Sequence, residues 1–270
     1  MRPLAVAAGL KAVRAVLLAA ATTAAAAQTA VLHAVADSTL VEEPTGALAN
    51  GAGTRLFAGR VGNNAGQTLR RALVRFDLSS LPPTAQINSV SLTLTMDRSR
   101  QAGDLPVAVH RVTQSWNEGP TGSPLGNGDP AVAGDTTWIE RRRPDLRWAQ
   151  AGGDFVAMAS ATREVGTTVG PYTWASTPQL TADVQSWRTQ PAQNHGWILL
   201  GFEGSLTSAK GFVSRESSAV EARPTLTVNY TVPPPATEAD VPLPPWALAA
   251  LGLGLAAAMA RRQGRRQGAE

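Results

Sequence analysis

Between residues 70 and 96 apolar and polar positions alternate in two runs separated by Pro82 and Pro83. Ala72, Val74, Phe76 and Leu78 share one face of the first run, and Arg71, Leu73, Arg75 and Asp77 the other. In the second run Val90, Leu92, Leu94 and Met96 alternate with Ser91, Thr93 and Thr95. A period of two sends successive side chains to opposite faces, so each run predicts a strand of an antiparallel sheet with one buried and one wetter face. The pattern extends in both directions. Upstream, VLHAVADSTLVEEP predicts a short strand reaching Asp37, and TRLFAGR (54–60) predicts another. PTGALANGAG between them carries glycines and Asn50, which suit turns of positive φ.

Downstream, Leu105, Val107 and Val109 alternate as a strand that leads into HRVTQSWNEG. GWILLGFEG (196–204) is a continuous apolar run, as expected of a strand buried on both faces. GFVSRES (211–217) predicts a short strand, and Leu226, Val228, Tyr230 and Val232 alternate through a closing one. One segment breaks the period: in TPQLTADVQSWRTQ (177–190), Leu180, Val184 and Trp187 are spaced i, i+4, i+7, which predicts a turn or two of helix over an end of the sheets. From Gly119 to about Gly170 the pattern loosens into a loop-like excursion containing Trp138, Trp148 and one strand-like stretch, Asp154–Ala159. A loop of that length in a compact domain is either functional or disordered.

The two ends follow other rules. In residues 1–27, Arg2, Lys11 and Arg14 precede an apolar run (Ala15–Ala21) and the small residues Ala25, Ala26 and Ala27, the layout of a secretory signal peptide cut before Gln28. An uncleaved anchor is the alternative, and the apolar run is short for one. Residues 233–245 form a proline-rich, semi-rigid linker. Residues 246–260 are apolar, and 261–270 read RRQGRRQGAE. Fifteen helical residues reach only about 22 Å against a hydrocarbon core of about 30 Å, so 246–260 predicts a short transmembrane or sorting helix with its basic tail in the cytoplasm. What remains, residues 28–232, is the size of one all-β sandwich domain, large enough to bury a core without staples.

Composition changes this picture in two places. The chain has no cysteine, so disulfides, thiolate zinc sites and cysteine nucleophiles are excluded. Its net charge of +4 suggests a nucleic-acid partner until the charges are located. Seven basic residues sit in the two ends, which leaves residues 28–240 with 17 basic against 19 acidic, a net of −2. A phosphate-binding surface needs its cations on the folded body, so nucleic acid is not expected as a partner.

Several segments, taken in order, resemble the DNRLRE-domain family of secreted bacterial and archaeal proteins. They are Ala36-Asp37, LVRFDLSSLPPTAQINSVSLTL, VHRVTQSWNEG, Thr173-Trp174, DVQSW, NHGWILLGFEG, FVSRES and RPTLTVNY. The resemblance implies an antiparallel jelly-roll-like β-sandwich; some relatives act as carbohydrate-binding modules, acidic polysaccharides among their ligands, and most are uncharacterised appendages. ERRRPDLRW has no counterpart in the family pattern. The C-terminus, VPLPPWA followed by an apolar segment and arginines, is similar to PEP-CTERM sorting tails. That similarity implies recognition by an inner-membrane transpeptidase-like sorting enzyme and display at the cell surface or in the extracellular matrix.

Candidate chemistry is sparse. No GxSxG elbow, HExxH or phosphate loop is present, and His33, His110 and His195 have no partner motif, so catalysis is not expected. Glu42-Glu43, or Asp183 with Glu203, are carboxylate pairs whose separation the sequence does not define. Trp116, Trp174, Trp187 and Trp197 read as packing residues. Trp138 and Trp148 lie beside Arg141, Arg142, Arg143 and Arg147, and aromatic faces with guanidinium forks suit a uronic-acid polymer. The plainer reading of the same residues is a solvated charge run with Trp148 tucked against the body. Asp37, Glu42 and Asp77 are candidate oxygen ligands for a structural Ca2+. The expected function is therefore an exported, non-catalytic polysaccharide-binding module. The alternatives are a structural or adhesive matrix protein acting through protein contacts, or a polysaccharide-degrading enzyme.

Overall fold

The computed structural model describes residues 26–101, 103–123 and 125–234, with Trp246 and Ala249. The predicted signal peptide up to residue 25, the linker over 235–245, the basic tail, and all of the C-terminal helix but Trp246 and Ala249 lie outside the described residues. Both of those residues are helical, and no helix among the described residues is long and apolar enough to cross a membrane. The chain divides into two compact units, Ala25–Pro233 and one made of Met1–Ala24 with Pro234–Glu270; the description that follows is of the first.

In chain order the strands are β1 (Ala27–Val41), β2 (Leu48–Ala49), β3 (Arg55–Arg60), β4 (Leu69–Phe76), β5 (Gln86–Ser99), β6 (Leu105–Arg111), β7 (Asp129–Pro130), β8 (Glu140–Arg142), β9 (Leu146–Arg147), β10 (Ala161–Val165) and β11 (Gly170–Trp174). Helix α1 (Pro178–Thr189) follows, then β12 (Trp197–Leu200), β13 (Lys210–Val213) and β14 (Thr225–Thr231). All named pairings are antiparallel, consistent with an all-β sandwich. Two strands tie the layers together by changing partner along their length. β1 pairs β14 from Ala27 to His33, passes an irregularity between Ala34 and Ala36, and then pairs β4 to Val41. β3 pairs β13 at Arg55–Ala58 and β4 at Gly59–Arg60.

The two predicted strands of residues 70–96 are β4 and β5. Ala72, Val74, Phe76, Val90, Leu92, Leu94 and Met96 all enter one core with Trp174, Trp187, Trp197 and Phe212. The alternate positions of β5 are wetter, and Thr93 meets the Thr173 hydroxyl across the strand pair at 2.9 Å. The predicted helix is α1, capped by Thr177, whose hydroxyl accepts from Leu180 N at 2.9 Å. It buries Leu180, Asp183, Val184 and Trp187.

The excursion departs from expectation. It is an ordered cover, not a loose loop: its Trp138 and Trp148, with Trp116 just before it, pack with Leu40, Leu69, Leu73 and Ile198 into a second apolar cluster on the outer face of β4 and β12. Leu73, on the face expected to be wetter, is fully buried for that reason. The stretch Asp154–Ala159 makes only an isolated bridge, Phe155 to Val112, and the true strand is β10 just beyond it.

Candidate functional site

At the end of β5 the chain reads DRSRQ, and Arg98 and Arg100 overhang a cleft of about 400 Å³. Its walls come from the turn after β3, with Asn63 and Asn64, from the 125–127 loop, with Leu125, and from Thr207 before β13. Phe57 of β3 forms the floor and is only 6% exposed. Two glycines make that floor: a Cβ on Gly126, which has φ +72°, would fall 2.2 Å from the Phe57 ring, and one on Gly211 would fall 3.1 Å from it. The 125–127 wall is held by Arg70, a buried guanidinium that donates from Nε to Gly126 O at 2.7 Å and from Nη1 to Leu69 O and the Thr68 hydroxyl. Burial lowers its pKa to about 10, with the Glu42 charge opposing. Behind β5, the buried Lys210 ammonium donates to the Ser99 hydroxyl and to Gly166 O, each at 2.8 Å, and burial lowers its pKa as well.

The side chains of Arg98 and Arg100 carry no hydrogen bond or ion pair to any described residue, although their neighbour Asp97 takes Arg55 at 2.7 Å. Among the described residues lining the cleft there is no carboxylate and no imidazole. The cleft therefore offers cations, amides and an apolar floor, groups that pair with anions and hydroxyls.

The residues named from sequence for a sugar site lie elsewhere. Trp138 and Trp148 are buried, so their ring faces are unavailable for stacking on a sugar; Trp148 Nε1 donates to Thr137 O at 3.1 Å. Trp138 already carries a guanidinium of the body, that of Arg71, 5.0 Å from its ring centroid. Arg143 is spent on Glu140 at 2.8 Å and on Gly46 O, and Arg141 bonds Ser115. Arg142 and Arg147 are exposed on the β8–β9 hairpin, Arg142 within 3.7 Å of Asp145. The pairing of aromatic and arginine legible in the sequence is thus largely consumed inside the fold.

The structure does not bring the three named calcium ligands together. Asp77 caps its own turn through Ser79 N and Oγ, bonds that hold its carboxyl below the ordinary range. Glu42, just past the end of β1, accepts from Leu69 N at 2.6 Å, five residues and roughly 16 Å along the chain from Asp37. Asp37 is fully buried and meets instead Glu118 and Glu216, two residues not singled out from sequence. Burial first, then the nearby Glu216 and Glu118, push its carboxyl well above the ordinary range. Gly51 permits the approach, since a Cβ there would lie 1.9 Å from Glu118 O. A usable signal did exist: Asp37, Glu118 and Glu216 each fall in one of the segments ADSTL, SWNEG and SRES, far apart in sequence.

His33 is exposed on β1, while His110 and His195 are tied into the fold. His110 is buried, with Nδ1 3.0 Å from Val156 O. His195 receives Trp116 Nε1 on its carbonyl at 2.8 Å. Burial and the charges of Arg75 and Arg141 hold its imidazole below the ordinary value. A folded-state pKa below the unfolded one means that the unfolded chain binds the proton first. The contribution is complete above about pH 6.5 and is lost as the pH falls through the folded value. His195→Gln is expected to show a smaller drop in Tm between neutral and mildly acidic buffer than the parent; equal drops would refute the assignment.

No protein-family model matches the chain, and no curated protein matches it.

Proposed function

We propose that this chain is an exported, non-catalytic β-sandwich module of the cell surface or matrix, and that it holds an acidic polysaccharide in the cleft beneath Arg98 and Arg100. The observation that carries the reading is a pair of unpartnered guanidinium groups over an amide-walled, apolar-floored cleft. Guanidinium forks bind carboxylates and sulfates through paired, charge-assisted hydrogen bonds, and neighbouring amides serve sugar hydroxyls. The sequence signals for export and sorting, and the resemblance to secreted sandwich modules, supply the setting. Ala27 stands opposite Thr231, so both ends of the sandwich leave side by side.

Affinity electrophoresis through gels containing a polyuronate, a sulfated polymer or a neutral glucan tests the reading. Retardation is expected in the acidic gels only, and it should weaken with salt. Each charge-assisted contact contributes roughly 1.5–3 kcal/mol, so Arg98→Ala with Arg100→Ala is expected to lower affinity by more than about tenfold. Arg142→Ala with Arg147→Ala should leave affinity unchanged. The reverse result moves the site to the β8–β9 hairpin, and retardation by no polymer favours a matrix protein working through protein contacts.

A further inference from the structure

Three carboxylates from distant parts of the chain converge beside the crossing point of β1. Asp37 comes from β1, Glu118 from the segment after β6, and Glu216 from the turn after β13. One oxygen from each lies within 4.8 Å of the others. Their hydrogen bonds leave a specific gap. Asp37 N donates to Glu118 Oε1 at 2.7 Å, and Asp37 Oδ2 accepts from Arg215 N at 2.8 Å. Arg215 Nη1 donates to Glu118 Oε2 at 2.9 Å and to Glu216 Oε1 at 2.5 Å. Asp37 Oδ1 and Glu216 Oε2 are buried with no partner. An unpaired carboxylate oxygen in the interior is costly, and here there are two on adjacent groups.

We propose that Asp37, Glu118 and Glu216 form a divalent-cation site, with Asp37 Oδ1 and Glu216 Oε2 as ligands and Ca2+ as the preferred ion. With all three carboxyls ionised against one guanidinium, two negative charges would remain in a mostly enclosed place, and a divalent ion is what neutralises them there. Oxygens up to 4.8 Å apart fit around an ion that holds its ligands at about 2.3–2.6 Å, since ligands on opposite sides then stand about 5 Å apart. Mg2+, at about 2.1 Å, draws such a set closer, to about 4.2 Å, and favours keeping its water. Glu118 and Glu216 retain 23% and 18% side-chain exposure, which gives the ion a way in and leaves room for water to complete its shell. The site lies outside the cleft's lining, so it stands or falls independently of polysaccharide binding. Its role is to clamp β1 to two segments that the backbone ladder does not join to it at that point.

The test uses the purified protein stripped with EDTA and then given Ca2+ or Mg2+. Equilibrium dialysis is expected to find about one Ca2+ per chain. At a hundredfold excess over Kd, Tm should rise by about 5–10 °C with Ca2+ and less with Mg2+. Glu216→Gln keeps the shape and the bond to Arg215, so it should fold as the parent does in EDTA and lose the Ca2+ response. Asp37→Asn should lose the response too, and Tb3+ luminescence excited through tryptophan should vanish in both. A parent that binds no Ca2+ by dialysis overturns the proposal, and so does a Ca2+ response that survives intact in Glu216→Gln.

Discussion

Trp197→Ala is expected to cost about 3–5 kcal/mol of folding stability, a large share of the roughly 5–15 kcal/mol that holds a typical domain. Trp197 is fully buried at the start of β12, edge-on to Trp187 at 4.5 Å and to Phe76 at 6.3 Å. Alanine there opens a cavity between α1 and β4 that neither rigid neighbour can fill. It also removes the Nε1 donor from Asp183 Oδ2, which it meets at 2.9 Å. Urea unfolding followed by far-UV circular dichroism measures the loss. A change below about 1 kcal/mol would mean that the helix docks without this ring. Trp197→Phe, which keeps most of the volume and no donor, should fall between the two.

The second large effect is expected at Asp183, on the buried face of α1. Its Oδ2 accepts from the Ser160 hydroxyl at 2.6 Å and from Trp197 Nε1, while Oδ1 lies 3.4 Å from Arg111 Nε. Asp183→Ala strands both buried donors and the guanidinium together. Breaking a fully buried pair costs roughly 3–5 kcal/mol; Arg111 is 36% exposed, so water relieves part of its loss and about 3 kcal/mol is expected. Asp183→Asn keeps an acceptor oxygen and should cost about half as much. The same unfolding measurement decides, with Arg111→Ala completing a double-mutant cycle whose coupling should be well under the cost of Asp183→Ala. A coupling equal to that cost would show that the ion pair, not the two hydrogen bonds, is what Asp183 supplies.

The strands around Pro82-Pro83 and the helix over 178–189 were legible because their information is local. Ala72, Val74 and Phe76 occur at the period of a pleated strand, and Leu180, Val184 and Trp187 at the period of a helix, whatever the rest of the chain does. GWILLGFEG showed both of its buried faces in the same way: Trp197 and Leu199 enter one cluster and Ile198 the other. The excursion was illegible for the complementary reason. Trp138 and Trp148 are buried only because Leu73, Ile198 and Leu40 wait on an outer sheet face, and nothing in residues 119–170 names that partner. The cleft was missed because Arg98 and Arg100 follow a strand as an ordinary charged run, and their lack of counter-charge is visible only once Asp97 is seen to take Arg55.

By itself, then, the sequence determined an antiparallel β body with one capping helix, and a net charge of −2 on residues 28–240. It did so because strand and helix periods, and charge counts, are properties of neighbours along a chain. Tertiary structure alone decided which side chains are free to meet a ligand. It buried the tryptophans of 138–148 and tied Arg141 and Arg143 to the body, left Arg98 and Arg100 open over a cleft, and set Asp37 against Glu118 and Glu216. Those outcomes depend on which distant segments share a surface, and partner choice across a sandwich leaves no periodic trace in the segments it joins.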